Sequence, residues 1–158
     1  MKNKAGNLLS WVASSAVLIG IDQYTKALAV ARLKNQQPFV ILDGVFEFLY
    51  SENRGAAFGL MQGRQGFFFL IGIVVLAVAG YTMLRMPGWQ EKRYHWLKLC
   101  VIMITAGAVG NMVDRVSQGY VVDFLYFKLI NFPIFNVADI YVTTATALLF
   151  VVLCFYYK

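Results

Sequence analysis

Two aspartates of this 158-residue chain stand alone in apolar surroundings: Asp123, within Val121-Val122-Asp123-Phe124, and Asp139, which closes Phe135-Asn136-Val137-Ala138-Asp139. Two carboxylates that occupy one site share a proton, so one serves as base while the other serves as acid near neutral pH. Such a pair can activate water against an amide carbonyl without a metal or a nucleophilic side chain. The plainer role at these places is a helix cap, open to Asp123 as well as to Asp139 and Asn136. Seven of the eight acidic residues, these two included, lie in or beside stretches that would set them at one face of a membrane. A carboxylate in hydrocarbon is costly and points to function by default.

Three further motifs carry polar groups at useful spacing. Asp22 and Lys26 are four apart on one helical face with the acid first, the order that favours an ion pair. Pairing is the ordinary remedy for two charges in lipid, so the expected role is a structural clamp. Asn53-Arg54-Gly55-Ala56-Ala57-Phe58-Gly59 is either a plain turn or a loop whose small residues admit a ligand close to the backbone, with Asn53 able to donate and accept. In the run Gly107-Ala108-Val109-Gly110-Asn111-Met112-Val113-Asp114-Arg115, Ala106 and Gly110 permit close helix packing. Asn111 and Arg115, four apart, can face one cavity, and Asp114 is expected to pair with Arg115.

Other chemistries have less support. Ser10, Ser14 and Ser15 lie eleven or more residues from Lys26, at the wrong end of the helix for a Ser–Lys dyad, and nothing around Ser51 or Ser117 forms a signature. The single histidine, His95, sits in a basic loop with Trp89 and Trp96 at the other face, where Ser–His chemistry cannot use it. Cys100 and Cys154 have no metal-ligand neighbours, so neither a metal nor another cofactor is expected.

These groups need elements to position them. A chain that is 59% hydrophobic with mean hydropathy +0.62 is outside the range of a soluble domain. Segments over about 8–31, 66–84, 97–113 and 140–157 each come near the ~20 residues that cross a ~30 Å core. A single-domain, mainly α, polytopic membrane protein follows: four transmembrane helices in an up-down bundle. Alternating direction brings Asp22 and Lys26, the loop before the second helix, Asp114 and Arg115 closing the third, and Asp139 opening the fourth to one side. Over about 32–65, Phe39, Ile41, Val45, Phe46, Phe48 and Leu49 around Asp43-Gly44 predict short strands and a turn. This β-rich flap must sit at or above the interface, since open sheet edges are not tolerated in hydrocarbon. The stretch from Val116 to Asn136 is predicted to be extramembrane, with Val121, Val122, Phe124, Leu125 and Phe127 on the membrane surface. The Lys2-Asn3-Lys4 start has the look of a secretory leader, but Asp22 and Lys26 mark an uncleaved anchor. Lysines and arginines divide seven to seven between the two faces, which leaves the orientation open. The net charge of +6 fits contact with anionic lipid, and its dispersal argues against nucleic acid.

Taken in order, Asp22-Gln23-Tyr24-Thr25-Lys26, the Asn53-to-Gly59 block, the Gly107-to-Arg115 block, Val122-Asp123-Phe124 and Phe135-Asn136-Val137-Ala138-Asp139 resemble lipoprotein signal peptidase (signal peptidase II), a bacterial family of integral-membrane aspartyl proteases. The resemblance covers nearly the whole chain. It implies cleavage of prolipoproteins before a diacylglyceryl-modified cysteine at the outer leaflet of the cytoplasmic membrane, with both termini cytoplasmic and the flap extracytoplasmic. It implies Asp123 and Asp139 as the catalytic pair. Asn53, Asn111, Arg115 and Asn136 match positions that line the site and orient substrate, while Asp22, Lys26, Gly55 and Asp114 match supporting ones. It also implies binding of cyclic peptide antibiotics such as globomycin, and a monomer among membrane lipids is expected. Phe67-Phe68-Phe69 and the run Phe124 to Phe127 are candidate apolar walls. The residues alone leave a second class, a proton- or ion-coupled carrier relaying through Asp22, Lys26, Asp114 and Asp139. Clustering at one face and the lack of an inverted repeat weigh against it. A non-enzymatic scaffold would need no such convergence of polar motifs.

Overall fold

The computed structural model describes residues 4–55 and 63–156. Four helices, α1 (Lys4–Leu33), α2 (Gln65–Arg85), α3 (His95–Gln118) and α4 (Val137–Val151, continued by a wider turn over Val152–Tyr156), form the bundle. Each is long and apolar enough to cross a membrane. Leu9, Val17, Leu70, Val78 and Phe150 point outward and exposed, as side chains solvated by lipid do. The chain is a multi-pass membrane protein.

Helix α3 packs against all three others. Its small residues make that possible: a Cβ on Gly107 would collide with the Ala138 carbonyl, and one on Gly110 would lie 2.6 Å from Asp22 Oδ2 and 3.4 Å from Ala138 Cβ. The small-residue stripe therefore draws α1 and the start of α4 together across α3. Helix α3 also runs a turn beyond the predicted Val113. Gly119, at φ +81°, ends it by donating its N–H to the Arg115 carbonyl, a left-handed cap that glycine adopts without strain. Asp114 and Arg115 thus lie inside the helix and do not close it.

Three antiparallel strands, β1 (Phe39–Leu42), β2 (Phe46–Asn53) and β3 (Val121–Phe127), form a sheet in the order β1-β2-β3. The β1–β2 turn falls at Asp43-Gly44, with Gly44 at φ +68°. The third strand corrects the sequence expectation, because Val121, Val122 and Phe124 are buried and do not lie on a membrane surface. Val122 and Phe124 pack with Ala29 of α1, at roughly 1.5–3 kcal/mol for each large side chain removed from water. This contact fixes the sheet to the bundle. Along the outer edge of β3, Phe135 exchanges backbone hydrogen bonds with Leu125 at 2.9 and 3.0 Å, which carries the chain on to α4.

Candidate active site

Asp123 and Asp139 are delivered by different elements to one place. In the β2–β3 register Ser51 faces Asp123 and Asn53 faces Val121, so all four share one side of the sheet. They line a cavity of about 750 Å³ with Asp139, Asn111 and Arg115. Asp139 comes from the first turn of α4. Asn136 caps that helix, accepting the Asp139 N–H at 3.0 Å, while Asp139 Oδ2 accepts the Asn136 N–H at 3.1 Å. Both capping alternatives for this segment are therefore realised, as the two halves of a reciprocal box.

Three asparagines present N–H donors to the two carboxylates. Asn53 Oδ1 accepts the Gly55 N–H at 3.0 Å, which turns its Nδ2 onto Asp123 Oδ2 at 2.9 Å. Asn136, its oxygen held by the Asp139 N–H, places Nδ2 2.6 Å from Asp123 Oδ1. Asn111 Nδ2 donates to Asp139 Oδ1 at 2.8 Å. Each carboxylate oxygen thus accepts one hydrogen bond and keeps a lone pair for water or a proton. Burial, then the neighbouring charge of Asp139, pushes the Asp123 carboxyl up to about 7, against the opposing pull of its asparagine donors. A group so placed holds or releases a proton near neutrality, as acid–base chemistry requires.

Behind this layer lies a buried cluster. Lys26 Nζ is 2.8 Å from Asp22 Oδ2 and 3.1 Å from Asp114 Oδ2. The expected Asp22–Lys26 pair is present, whereas the expected Asp114–Arg115 pair is not. Asp114 turns inward to Lys26 and to the Val122 N–H at 3.1 Å. Arg115 turns toward the cavity, donating to the Gly55 carbonyl at 3.1 Å and to the Asn111 carbonyl at 3.3 Å, with its guanidinium 4.5 Å from the Phe68 ring centre. Gln23, which has no separate role in the sequence reading, bridges Asp22 Oδ2 at 3.1 Å and Asp114 Oδ1 at 2.9 Å. Asp22 Oδ1 accepts the Ala138 N–H at 2.9 Å, tying the cluster to the start of α4.

The cavity walls differ from the expected ones. Phe68 contributes, but Phe67 and Phe69 are exposed, and Phe124 is buried against Ala29. Alternation along β3 sends Asp123 to the cavity and Phe124 to the core. The apolar wall is instead Phe132–Phe135, with Ile140 and Thr143 of α4 beside it. Ser51 lines the cavity, and among the described residues neither a lysine nor a histidine meets its hydroxyl. Ala56 to Gly59, the remainder of the Asn53 motif, lie outside the described residues.

The family described as Signal peptidase (SPase) II matches residues 14–155. The chain belongs to the signal peptidase II family. It is an aspartic peptidase of that kind, and the carrier and scaffold readings lapse. The lipoprotein signal peptidase of Symbiobacterium thermophilum is 42% identical over 142 residues, covering 88% of this chain and 90% of the relative. That of Streptococcus thermophilus is 39% identical over 136 residues, or 86% of each. A bacterial membrane enzyme solved by the in meso method superposes with a TM-score of 0.79 at 28% identity, covering 92% of this chain and 87% of the other.

Proposed function

We propose that this signal peptidase II removes the signal peptides of prolipoproteins by hydrolysing the bond before a diacylglyceryl-modified cysteine, with Asp123 and Asp139 as the acid–base pair. The observation that supports this most is Asn136, which hydrogen-bonds both carboxylates at the wall of one cavity. One carboxylate takes a proton from water as the water oxygen adds to the carbonyl carbon. The other, protonated, gives its proton to the carbonyl oxygen. The tetrahedral intermediate then collapses: the first carboxyl passes its proton to the departing nitrogen, the C–N bond breaks, and the second reclaims a proton from the hydroxyl.

Asn53, Asn111 and Asn136 hold the pair, and Arg115 faces the substrate. Asp22, Lys26, Gly55 and Asp114 support them. The apolar wall at Phe68 and Phe132–Phe135 suits a substrate that remains lipid-anchored. The site opens at the outer leaflet of the bacterial cytoplasmic membrane, both termini are cytoplasmic, and the protein acts as a monomer that also binds globomycin-like cyclic peptides.

The deciding experiment is single-turnover cleavage, in detergent, of a diacylglyceryl-modified signal peptide beside its unmodified counterpart. Only the modified peptide should be cut, and equal cleavage of both would remove the lipid from the proposal. Orientation is tested with single cysteines at Lys34, Lys128 and Gln90 in a chain lacking Cys100 and Cys154. An impermeant thiol reagent outside intact cells should label the first two and spare the third.

A further inference from the structure

Ion pairing does not account for everything Lys26 does. Besides Asp22 and Asp114, its Nζ donates to Asn111 Oδ1 at 2.9 Å. A carboxamide has two orientations of nearly the same shape, with donor and acceptor exchanged. Backbone N–H groups fix the choice for Asn53 and Asn136. Among the described residues no backbone group holds the Asn111 side chain, whose hydrogen bonds there run to Lys26, Asn136 and Asp139. An ammonium has no acceptor and cannot face Nδ2. The other hold on Asn111 Oδ1 is Asn136 Nδ2 at 3.1 Å, a group already 2.6 Å from Asp123 Oδ1.

We propose that Lys26 is a positioning residue for hydrolysis, acting through Asn111: its ammonium holds the carboxamide oxygen, so that the N–H2 group is presented to Asp139. The proposal rests on the reading of Asp123 and Asp139 as the acid–base pair. The titratable and charged groups around this point are Asp22 on α1, Asp114 and Arg115 on α3, Asp123 on β3, and Asp139 and Tyr141 on α4. The side of the cavity formed by α2 carries Phe68 and no charge. Among the described residues, Lys26 is the one buried cation that hydrogen-bonds the side-chain oxygen of Asn111. Its field also reaches Asp123, where it opposes the rise caused by burial.

The test separates positioning from stability. Lys26→Met leaves two carboxylates facing one another, so it is made with Asp22→Asn, and Asp22→Asn alone is the reference. Melting in detergent selects folded protein. From the reference to the Lys26→Met pair, kcat on the lipid-modified peptide should fall roughly 30-fold or more with KM nearly unchanged, as for an interaction made only in the transition state. The acid limb of the pH–kcat profile should move to higher pH. In a chain that also carries Asn111→Ala, the same step should cost less than about 3-fold, because the two residues act as a unit. Lys26→Gln, which keeps an N–H donor at that place, should recover part of the rate, and it carries the same comparison if the methionine variant does not fold. An unchanged kcat with an unmoved acid limb, or an equal loss with and without Asn111, would reduce Lys26 to a clamp. Asp123→Asn distinguishes the two proposals. If it cleaves, the dyad itself falls; if it is dead while the Lys26 variants are unaffected, only the positioning role falls.

Discussion

The two ends of the bundle are built from the same residue types and come to opposite results. At one end, Lys26 is buried between Asp22 and Asp114, and asparagines lead from it to two carboxylates on an open cavity. At the other, Asn7 is buried and gives its Nδ2 to the carbonyls of Met83, Met86 and Pro87 at 3.3, 2.9 and 3.0 Å. Those carbonyls end α2, where Pro87 prevents continuation. Lys98 is fully buried there, its ammonium 4.6 Å from the Trp89 ring centre and with no hydrogen-bond partner among the described residues. Trp89 Nε1 donates to Ser10 at 2.7 Å, and His95 Nε2 meets the Trp89 carbonyl at 2.6 Å. One end converges on a space that a substrate can enter; the other fastens a loop to α1. A buried polar residue in a membrane protein is thus a signal of chemistry only when its hydrogen bonds lead to a cavity.

The sharpest way to break this contrast is at the carboxylates. Asp123→Asn or Asp139→Asn should each abolish single-turnover cleavage, a loss of about 10³-fold or more, and the double variant should be hardly slower than either single one. Folding should persist, because the amide keeps the shape. The raised Asp123 pKa adds a pH signature. The folded state holds that proton more tightly than the unfolded state does, so its contribution to stability is present at low pH and is lost as pH rises through about 7. Melting curves between pH 4 and 8 should show this slope, and Asp123→Asn should flatten it.

The next effect is on stability. Lys26→Ala strands two buried carboxylates and should cost about 3–5 kcal/mol, whereas Asp22→Asn with Lys26→Met should regain much of that. Failure of the double variant to regain stability would count against the clamp. At the far end, Asn7→Ala should cost about 1–3 kcal/mol for the donors lost to three carbonyls, with turnover per folded molecule unchanged. Reduced turnover in the folded fraction would show that the two ends are coupled. Smallest is Lys98→Met. Loss of the contact with Trp89 and relief of an unpartnered ammonium oppose each other, so melting should shift by about 1 kcal/mol or less. A collapse like that of Lys26→Ala would erase the distinction between the two lysines.

Much of this was legible in the chain because the signals were local. Hydropathy marked four helices, the four-residue spacing of Asp22 and Lys26 marked their pair, and Asp43-Gly44 marked the hairpin. Adjacency misled at Asp114 and Arg115, since neighbouring helical residues face different ways; the true partner of Asp114 lies on another helix. The third strand is not distinguishable by pattern, because Val121-Val122-Asp123-Phe124-Leu125 lacks a polar face. Such a run is what a strand covered on both sides shows, and also what a surface-lying segment shows. Gln23 and Asn7 could not be read at all, because each takes its meaning from groups far away in sequence, the Gly110 and Asp114 side of α3 for one and the end of α2 for the other.

The reciprocal box at the start of α4 ties the working life of the enzyme to a very small unit of structure. Asp139 is at once a member of the proposed dyad and the third residue of the helix, and Asn136 is at once its cap and a donor to Asp123. Fraying of that single turn withdraws one carboxylate and releases the other, while the rest of the bundle stands. Heat inactivation should therefore precede global melting and follow a local opening, seen as hydrogen exchange at the Ala138 and Asp139 amides.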